Sequence, residues 1–210
     1  MRISPSLDDL TKLIKHQLNN LFFLNESESI TLDYCLPSAL KLTENCFQYS
    51  KNKYYKSNGN VFFSIYHSGQ YCIFLYFLAR QIFIDYPEER TLADKLYYLN
   101  KTLNGLDLYY EVNMPAVFHL DHPVGSVIGR ATYGDGFTFS QLCTVGNNKG
   151  VFPVIGENVL MLSGSKILGN SYIGKHTIIS ANTYIKDQDV PDNSIVFGSS
   201  PNLTIKKRRV

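Results

Sequence analysis

Bulky aliphatic residues return at every sixth position over residues 155–185, and a small or β-branched residue follows four positions after most of them. The bulky set is Ile155, Met161, Ile167, Ile173, Ile179 and Ile185, and the second set is Val159, Ser165, Ser171, Thr177 and Thr183. Steps of six would scatter side chains around an α-helix with about 3.6 residues per turn. An alternating strand would need apolar residues at Glu157 and Lys175. The pattern therefore predicts a β-solenoid of hexapeptide units, three per coil, with the bulky residues stacked inside.

The six-residue spacing of bulky residues extends towards the N-terminus, with two changes of register. The additional positions are Leu108, Met114 and Leu120 in one run and Tyr133, Phe139 and Val145 in another. The register slips between 120 and 133 and again at 146–154, where loops that carry functional groups are expected to leave the solenoid. Residues 190–210 are placed to cap its open end.

The first half of the chain has a helical pattern. Ser6 can cap a helix whose apolar stripe is Leu10, Leu13, Ile14 and Leu21. Further helices are predicted over about 32–50 and 66–84. A fourth helix is predicted to begin at Pro87 and to end at Gly105, which suits a left-handed cap; its stripe is Leu92, Leu96, Leu99 and Leu103. The predicted class is α+β, with a helical domain over 1–105 and a β-helix with its capping segment over 106–210.

Composition narrows the functional classes. The chain has 210 residues and a formal net charge of +2, which argues against a nucleic-acid-binding protein. Its four cysteines show no paired spacing, so reduced thiols in a cytoplasm are expected. The N-terminus carries acidic residues where a signal peptide needs an apolar run, and the most apolar stretch is interrupted by Arg80 and Gln81. These observations predict a soluble, cytoplasmic protein without a transmembrane segment.

Three stretches resemble the serine acetyltransferase branch of the hexapeptide-repeat acyltransferases. LDHPVGSVIG (120–129) resembles the family's Leu-Asp-His segment, SGSKILGN (163–170) its Gly-Ala-Lys-Ile-Leu-Gly-Asn unit, and VPDNSIVFGSSP (190–201) its closing segment. The helical first half also fits this family. The resemblance implies a trimeric left-handed β-helix that binds acetyl-CoA between neighbouring subunits and uses no metal.

The resemblance also implies catalytic residues. Acetyl transfer from a thioester to a hydroxyl needs a general base, and His122 is the candidate because an imidazole exchanges protons near neutral pH. Asp107 lies 15 residues earlier, close to one coil, and matches the family's orienting carboxylate. Asp121 matches a carboxylate that contacts the acceptor. His119 is the alternative base in this part of the solenoid.

For acetyl-CoA, the family uses main-chain groups of small residues on successive coils. The matching positions are Ser163 and Ala181, with Gly164 and Ser165 beside the first and Gly198 in the closing segment. Small residues at tight corners also have a purely structural explanation. The basic tail at 206–209 is either a CoA phosphate contact or a solvated chain end.

The loop at 146–154 departs from the family. Serine acetyltransferases have a longer loop ending in Arg-His-Pro, whose Arg and His help to hold serine's carboxylate, whereas this chain has Val151, Phe152 and Pro153. Losing a charge-assisted hydrogen bond costs roughly 1.5–3 kcal/mol of binding free energy, so this loop argues against serine as the acceptor. Phe152 and Phe118 are candidates to stack on a sugar ring. With this loop the chain looks most like the acetyltransferases of surface-polysaccharide gene clusters, and that resemblance implies a carbohydrate acceptor in a surface polysaccharide or its precursor. Serine O-acetylation and a non-catalytic trimeric binding subunit are the alternatives.

Overall fold

A computed structural model describes residues 1–208, and the chain divides into two compact units. The first unit is Met1–Asn104, and the second begins at Gly105. Gly105 has a left-handed φ of 60°, the conformation expected of a glycine that follows a helix.

The first unit is built on four α-helices. They are α1 (Leu7–Leu21), α2 (Glu26–Gln48), α3 (Ser68–Asp85) and α4 (Arg90–Asn104), with short 3-10 turns at Lys53–Tyr55 and Pro87–Glu89. The predicted cap of α1 is confirmed, because Ser6 Oγ accepts a hydrogen bond from Asp9 N. The buried stripe of α1 is Leu10, Ile14 and Leu18.

Two helix boundaries differ from the prediction. Helix α2 begins at Glu26 rather than near 32 because Asn25 and Glu28 form a reciprocal capping box. Pro87 starts a 3-10 turn, and the regular helix α4 follows it from Arg90. Leu103, predicted as part of the buried stripe of α4, is exposed near the end of that helix.

A small sheet in the first unit was not predicted. Its strands are β1 (Arg2–Ser4), β2 (Lys56–Ser57) and β3 (Asn60–Ser64), in the order β1-β3-β2. Strands β2 and β3 form an antiparallel hairpin around Asn58 and Gly59, and β1 pairs in parallel with β3.

The second unit is a left-handed parallel β-helix of about four turns, as predicted. The first face contains β4 (Phe118–Leu120), β7 (Phe137–Phe139), β10 (Leu160–Met161), β13 (Ile178–Ile179) and β15 (Ser194–Ser199). The second contains β5 (Val127–Ile128), β8 (Thr144–Gly146), β11 (Lys166–Leu168) and β14 (Tyr184–Lys186). The third contains β6 (Thr132–Tyr133), β9 (Val154–Ile155) and β12 (Tyr172–Ile173).

The core of the solenoid is the stack that the six-residue step predicts. All six bulky residues over 155–185 are buried, and so are the five small or β-branched residues that follow them by four positions. In register, Met161 lies against Phe139 and Ile179, and Ile167 lies against Val145 and Ile185. The prediction of an inward stack is therefore confirmed.

Three corners join these faces. The His122 corner joins the first face to the second through residues 121–126, 140–143, 162–165 and 180–183. The Phe152 corner joins the second face to the third through 129–131, 147–153, 169–171 and 187–189. The glycine corner returns to the first face through 134–136, 156–159, 174–177 and 191–193.

An antiparallel hairpin closes the C-terminal end of the solenoid. Strand β16 (Asn202–Lys207) pairs with β15, so the expected capping segment is present. Lys206, Lys207 and Arg208 of the basic tail are described, whereas Arg209 lies outside the described residues. Across residues 1–208, no helix has both the length and the apolar character needed to cross a membrane.

Candidate active site at the His122 corner

Successive coils stack directly on one another at the His122 corner. Leu142 N donates to Val124 O at 3.0 Å, Gly164 N to Gln141 O at 2.9 Å, and Asn182 N to Ser163 O at 2.9 Å. Because neighbouring strands are spaced by about 4.8 Å, Ser163 lies roughly 10 Å and Ala181 roughly 14 Å along the solenoid axis from the coil of His122. The corner therefore aligns the candidate base with the candidate cofactor residues.

His122 sits on a tight turn with its side chain in solvent. Its φ is 50°, and its carbonyl accepts a hydrogen bond from Val124 N at 2.8 Å. Its side chain is 85% exposed, and its Nε2 lies 3.5 Å from Asp121 Oδ1. The imidazole is thus accessible to an acceptor, with a carboxylate beside it.

Asp107 lies one coil before His122, next to the same corner. Its backbone pairs with Val127 across the second face, and Gly125 N donates to Gly105 O at 2.8 Å. Asp107 is half-buried. Asp107 is therefore on the coil adjacent to that of His122, and the dyad of Asp107 and His122 stays a prediction.

The candidate cofactor positions differ in what they present to solvent. Ala181 and Gly198 are exposed, and Ser163 is half-buried. Gly164 has a left-handed φ of 72°, and a Cβ there would lie 2.3 Å from Asn182 Oδ1. Gly198 lies at the same corner in β15, between the segment that pairs with the first face and Ser199, which pairs with the second.

Two predicted site residues point into the core. Ser165 is fully buried, its N donates to Leu162 O, and its carbonyl accepts from Thr144 N. Both of its main-chain groups are therefore used within the solenoid, and it is not a cofactor contact. Phe118 is 0% exposed and aligns with Phe137 inside the first face. A buried ring cannot stack on a sugar, so the prediction for Phe118 is wrong.

Phe152 lies on a different corner from His122. It belongs to the loop at 147–153, where Asn148 and Val151 exchange two backbone hydrogen bonds, and its side chain is 42% exposed. Within one copy of the chain, the fold does not bring Phe152 to the His122 corner. Two exposed apolar residues that the sequence analysis did not single out, Val124 and Leu142, lie at that corner instead.

Other catalytic groups have little support in the described part of the chain. Residues 1–208 contain no cluster of three or more His, Cys, Asp or Glu side chains able to hold a metal. Burial raises the pKa of the Cys35 thiol to about 11 and of Cys72 to about 12, which disfavours the nucleophilic thiolate. Cys143 is fully buried, with its Sγ 3.3 Å from Leu162 O.

Comparison with known proteins identifies the family. The family model described as bacterial transferase hexapeptide (six repeats) matches residues 152–187. Serine acetyltransferase from Staphylococcus epidermidis strain RP62A is 32% identical over 149 residues, which cover 68% of this chain and 68% of that enzyme.

Solved structures show the same fold. Neisseria gonorrhoeae serine acetyltransferase in complex with serine matches with a TM-score of 0.66 and 24% identity, over 81% of this chain and 72% of that one. A serine acetyltransferase in complex with CoA matches with a TM-score of 0.61 and 20% identity, over 81% of this chain and 70% of that one.

These findings define a hexapeptide-repeat transferase built on a β-helix. More specifically, the chain belongs to the serine acetyltransferase-like branch of the hexapeptide-repeat acyltransferases. It is an acetyltransferase of that family. The relatives are named for serine, so the comparisons favour the serine alternative of the sequence analysis over a sugar acceptor.

Proposed function

We propose that this chain transfers the acetyl group of acetyl-CoA to the hydroxyl of a small acceptor, with His122 as the general base and serine as the first acceptor to consider. The observation that carries the proposal is the stacking of His122, Ser163 and Ala181 along one corner. The names of the relatives support serine. Its cytoplasmic location stays a prediction.

The proposed reaction uses His122 twice. The neutral imidazole accepts the acceptor's hydroxyl proton while the oxygen attacks the thioester carbonyl carbon. The carbon–sulfur bond then breaks, and the imidazolium donates its proton to the departing CoA sulfur. Asp107 is proposed to orient the ring and to stabilise the imidazolium. Asp121, whose Oδ1 lies 3.5 Å from Nε2, is proposed to contact the acceptor.

The proposed cofactor site uses the exposed edge of the same corner. Main-chain groups at Ser163 and Ala181 would hold the pantetheine arm, and Gly198 lies at the last coil of this corner. Gly164 is buried, its N donates to Gln141 O and its carbonyl accepts from Lys166 Nζ, so it shapes the turn beside Ser163. Lys206 and Lys207 are exposed on β16 but lie opposite Ile195 and Ser194, at the end of β15 next to the glycine corner. A contact with CoA phosphates would require the cofactor, or a neighbouring copy, to reach that end. Acetyl-CoA supplies the activated acetyl group when it is bound.

One copy leaves this site open. The His122 side chain is 85% exposed, whereas catalytic groups work best where water is excluded. We propose that a second copy completes each site within a homotrimer, as the family resemblance implies. The expected mass in solution is three times the 23.9 kDa chain mass, measured by light scattering at assay concentration. A mass equal to one chain in a preparation that turns over substrate would contradict this proposal.

A sugar hydroxyl is the second candidate acceptor. Val151 and Phe152 are exposed apolar residues where the resemblance leads us to expect Arg and His donors. An exposed aromatic ring suits the apolar face of a sugar, and the missing donors weaken the case for serine's carboxylate. A neighbouring copy would have to bring Phe152 to the His122 corner.

The test measures CoA thiol release with L-serine, nucleotide sugars and oligosaccharides. Activity with serine alone supports the serine proposal, and activity with a sugar alone supports the second candidate. No release with any acceptor, together with no binding of acetyl-CoA, contradicts both and favours a non-catalytic binding subunit.

The double variant Val151→Arg with Phe152→His sharpens this test. If the native acceptor is a sugar, the variant should gain serine activity by about tenfold or more per restored contact, since a charge-assisted hydrogen bond is worth roughly 1.5–3 kcal/mol. Tyr172→Ala is the control, because Tyr172 is an exposed aromatic on the third face. A serine enzyme that holds the carboxylate through other groups would show no such gain.

A further inference from the structure

The His122 corner contains a leucine in a left-handed turn. The left-handed positions of successive coils are Gly125 (φ 75°), Leu142 (φ 59°), Gly164 (φ 72°) and Asn182 (φ 59°). Glycine and asparagine adopt this conformation readily, whereas the Cβ of a leucine approaches the following carbonyl oxygen. Strained positions of this kind are common near functional sites. Leu142 is therefore the exception in this column.

The Leu142 side chain is exposed and packs over a glycine. It is 58% exposed, and its Cδ2 lies 2.6 Å from where a Cβ on Gly125 would stand. Any larger residue at 125 would displace the leucine. Val124, whose carbonyl accepts the hydrogen bond from Leu142 N, is 62% exposed beside it. The two side chains form an exposed apolar patch next to His122.

The position of this patch along the corner suggests its occupant. Leu142 lies on the coil between that of His122 and that of Ser163 and Gly164. A pantetheine arm held at Ala181 and Ser163, with its thioester at His122, has to cross the coil of Leu142. The segment of the donor that reaches this point is the thioester and its acyl group, which is apolar.

We propose that Leu142, seated on Gly125 and flanked by Val124, forms the wall that contacts the acyl group of the donor and limits its length to acetyl. This inference rests on the proposed function, because it needs acyl-CoA to lie along the His122 corner. Leu142 is then a specificity residue, and proton transfer stays with His122.

The test is the variant Leu142→Gly, which removes the wall and leaves a residue that suits the turn. The second-order rate constant kcat/KM is measured with acetyl-, propionyl- and butyryl-CoA. The propionyl-to-acetyl ratio should rise by about tenfold, the usual scale for one methylene group in an apolar pocket. His176→Gly is the matched control, since His176 has a φ of 56° at the glycine corner. The propionyl-to-acetyl ratio of kcat/KM in His176→Gly should equal that of the wild type.

Three results would overturn the inference. The first is an unchanged donor ratio in Leu142→Gly with acetyl transfer intact. The second is an equal loss with all donors together with a smaller assembly mass, which would make Leu142 a subunit-interface residue. If the wild-type protein turns over no donor, the proposed function fails. In that case, calorimetry on the wild type and on Leu142→Gly measures the ratio of the affinities for acetyl-CoA and butyryl-CoA. A ratio that is the same in the two proteins is the third result that would overturn the inference.

Discussion

The His122 corner and the glycine corner are turns of the same solenoid with different contents. At the glycine corner, the residue after the inward side chain is Gly134, Gly156 or Gly174 in the first three segments and Pro191 in the last. A Cβ on Gly134 would lie 2.5 Å from Glu157 N, and one on Gly174 would lie 2.3 Å from Asp192 N. Successive coils are therefore in backbone contact at these glycine positions, which leave no room for a side chain.

The equivalent positions at the His122 corner carry side chains. They are Asp121, Ser140, Leu162 and Ser180. The first segment of this corner is also longer, with six residues at 121–126 against three at 134–136, and the additional residues include His122. The two corners therefore share the hexapeptide period but differ in structure. The glycine corner is a closed turn, whereas the His122 corner has side chains that can contact a ligand.

A pair of histidine variants tests this comparison with the largest expected effect. His122 and His176 are both exposed and left-handed, with φ values of 50° and 56°. His122→Ala should lower turnover by about 10² to 10⁴, the usual range for general base catalysis. His176→Ala should leave turnover unchanged, and acetyl-CoA affinity should persist in both. Because the backbone conformations match, both variants should lose similar stability.

Near-normal turnover in a folded His122→Ala protein would place the base elsewhere. His119, half-buried on the first face, is then the next residue to substitute. If Asp107 orients the His122 ring, Asp107→Asn should also lower kcat in an intact assembly. An equal loss in both histidine variants would mean that the two corners do not differ in function.

The solenoid could be predicted from sequence because its core is set by local spacing. Each inward position is separated by six residues from the next, so Ile155 through Ile185 determine one another without knowledge of distant contacts. The same spacing also contained the information needed to correct two errors. Ser165 and Phe118 each lie four positions after an inward methionine, Met161 and Met114, and that position is also inward.

The helical unit depends more on contacts that sequence spacing does not show. Strand β1 pairs with β3 some 60 residues later, in the register Arg2 to Phe62, and no local pattern predicts such a pairing. The start of α2 did have a local signal, since Asn25 and Glu28 have the spacing of a capping box.

The relation between Phe152 and His122 could not be predicted from spacing for another reason. The register slip identified a loop at 146–154, but not the corner from which it leaves the solenoid. The number of residues per coil assigns that corner, and this number varies where the coils are irregular: Asp107 pairs with Val127, whereas Lys166 pairs with Tyr184. A sequence can therefore predict a functional loop without assigning it to a site.

The smallest expected effect concerns stability at the two corners. Gly174→Ala places a Cβ 2.3 Å from Asp192 N and 2.6 Å from Pro191 C. These are backbone atoms that cannot rotate away, so the coils have to separate. The expected loss in the free energy of unfolding is about 1–3 kcal/mol, the usual cost of overpacking. Ser180→Ala, at the equivalent position of the His122 corner, should change it by less than about 0.5 kcal/mol.

Denaturant unfolding of both variants, with their acetyl-CoA turnover, measures this difference. Gly174→Ala should unfold at lower denaturant concentration while the folded fraction keeps its turnover, because the proposed active site lies at the His122 corner. Equal stability of the two variants would show that the glycine corner has room for a side chain. The side chains at Asp121, Ser140, Leu162 and Ser180 would then no longer distinguish a site from a turn.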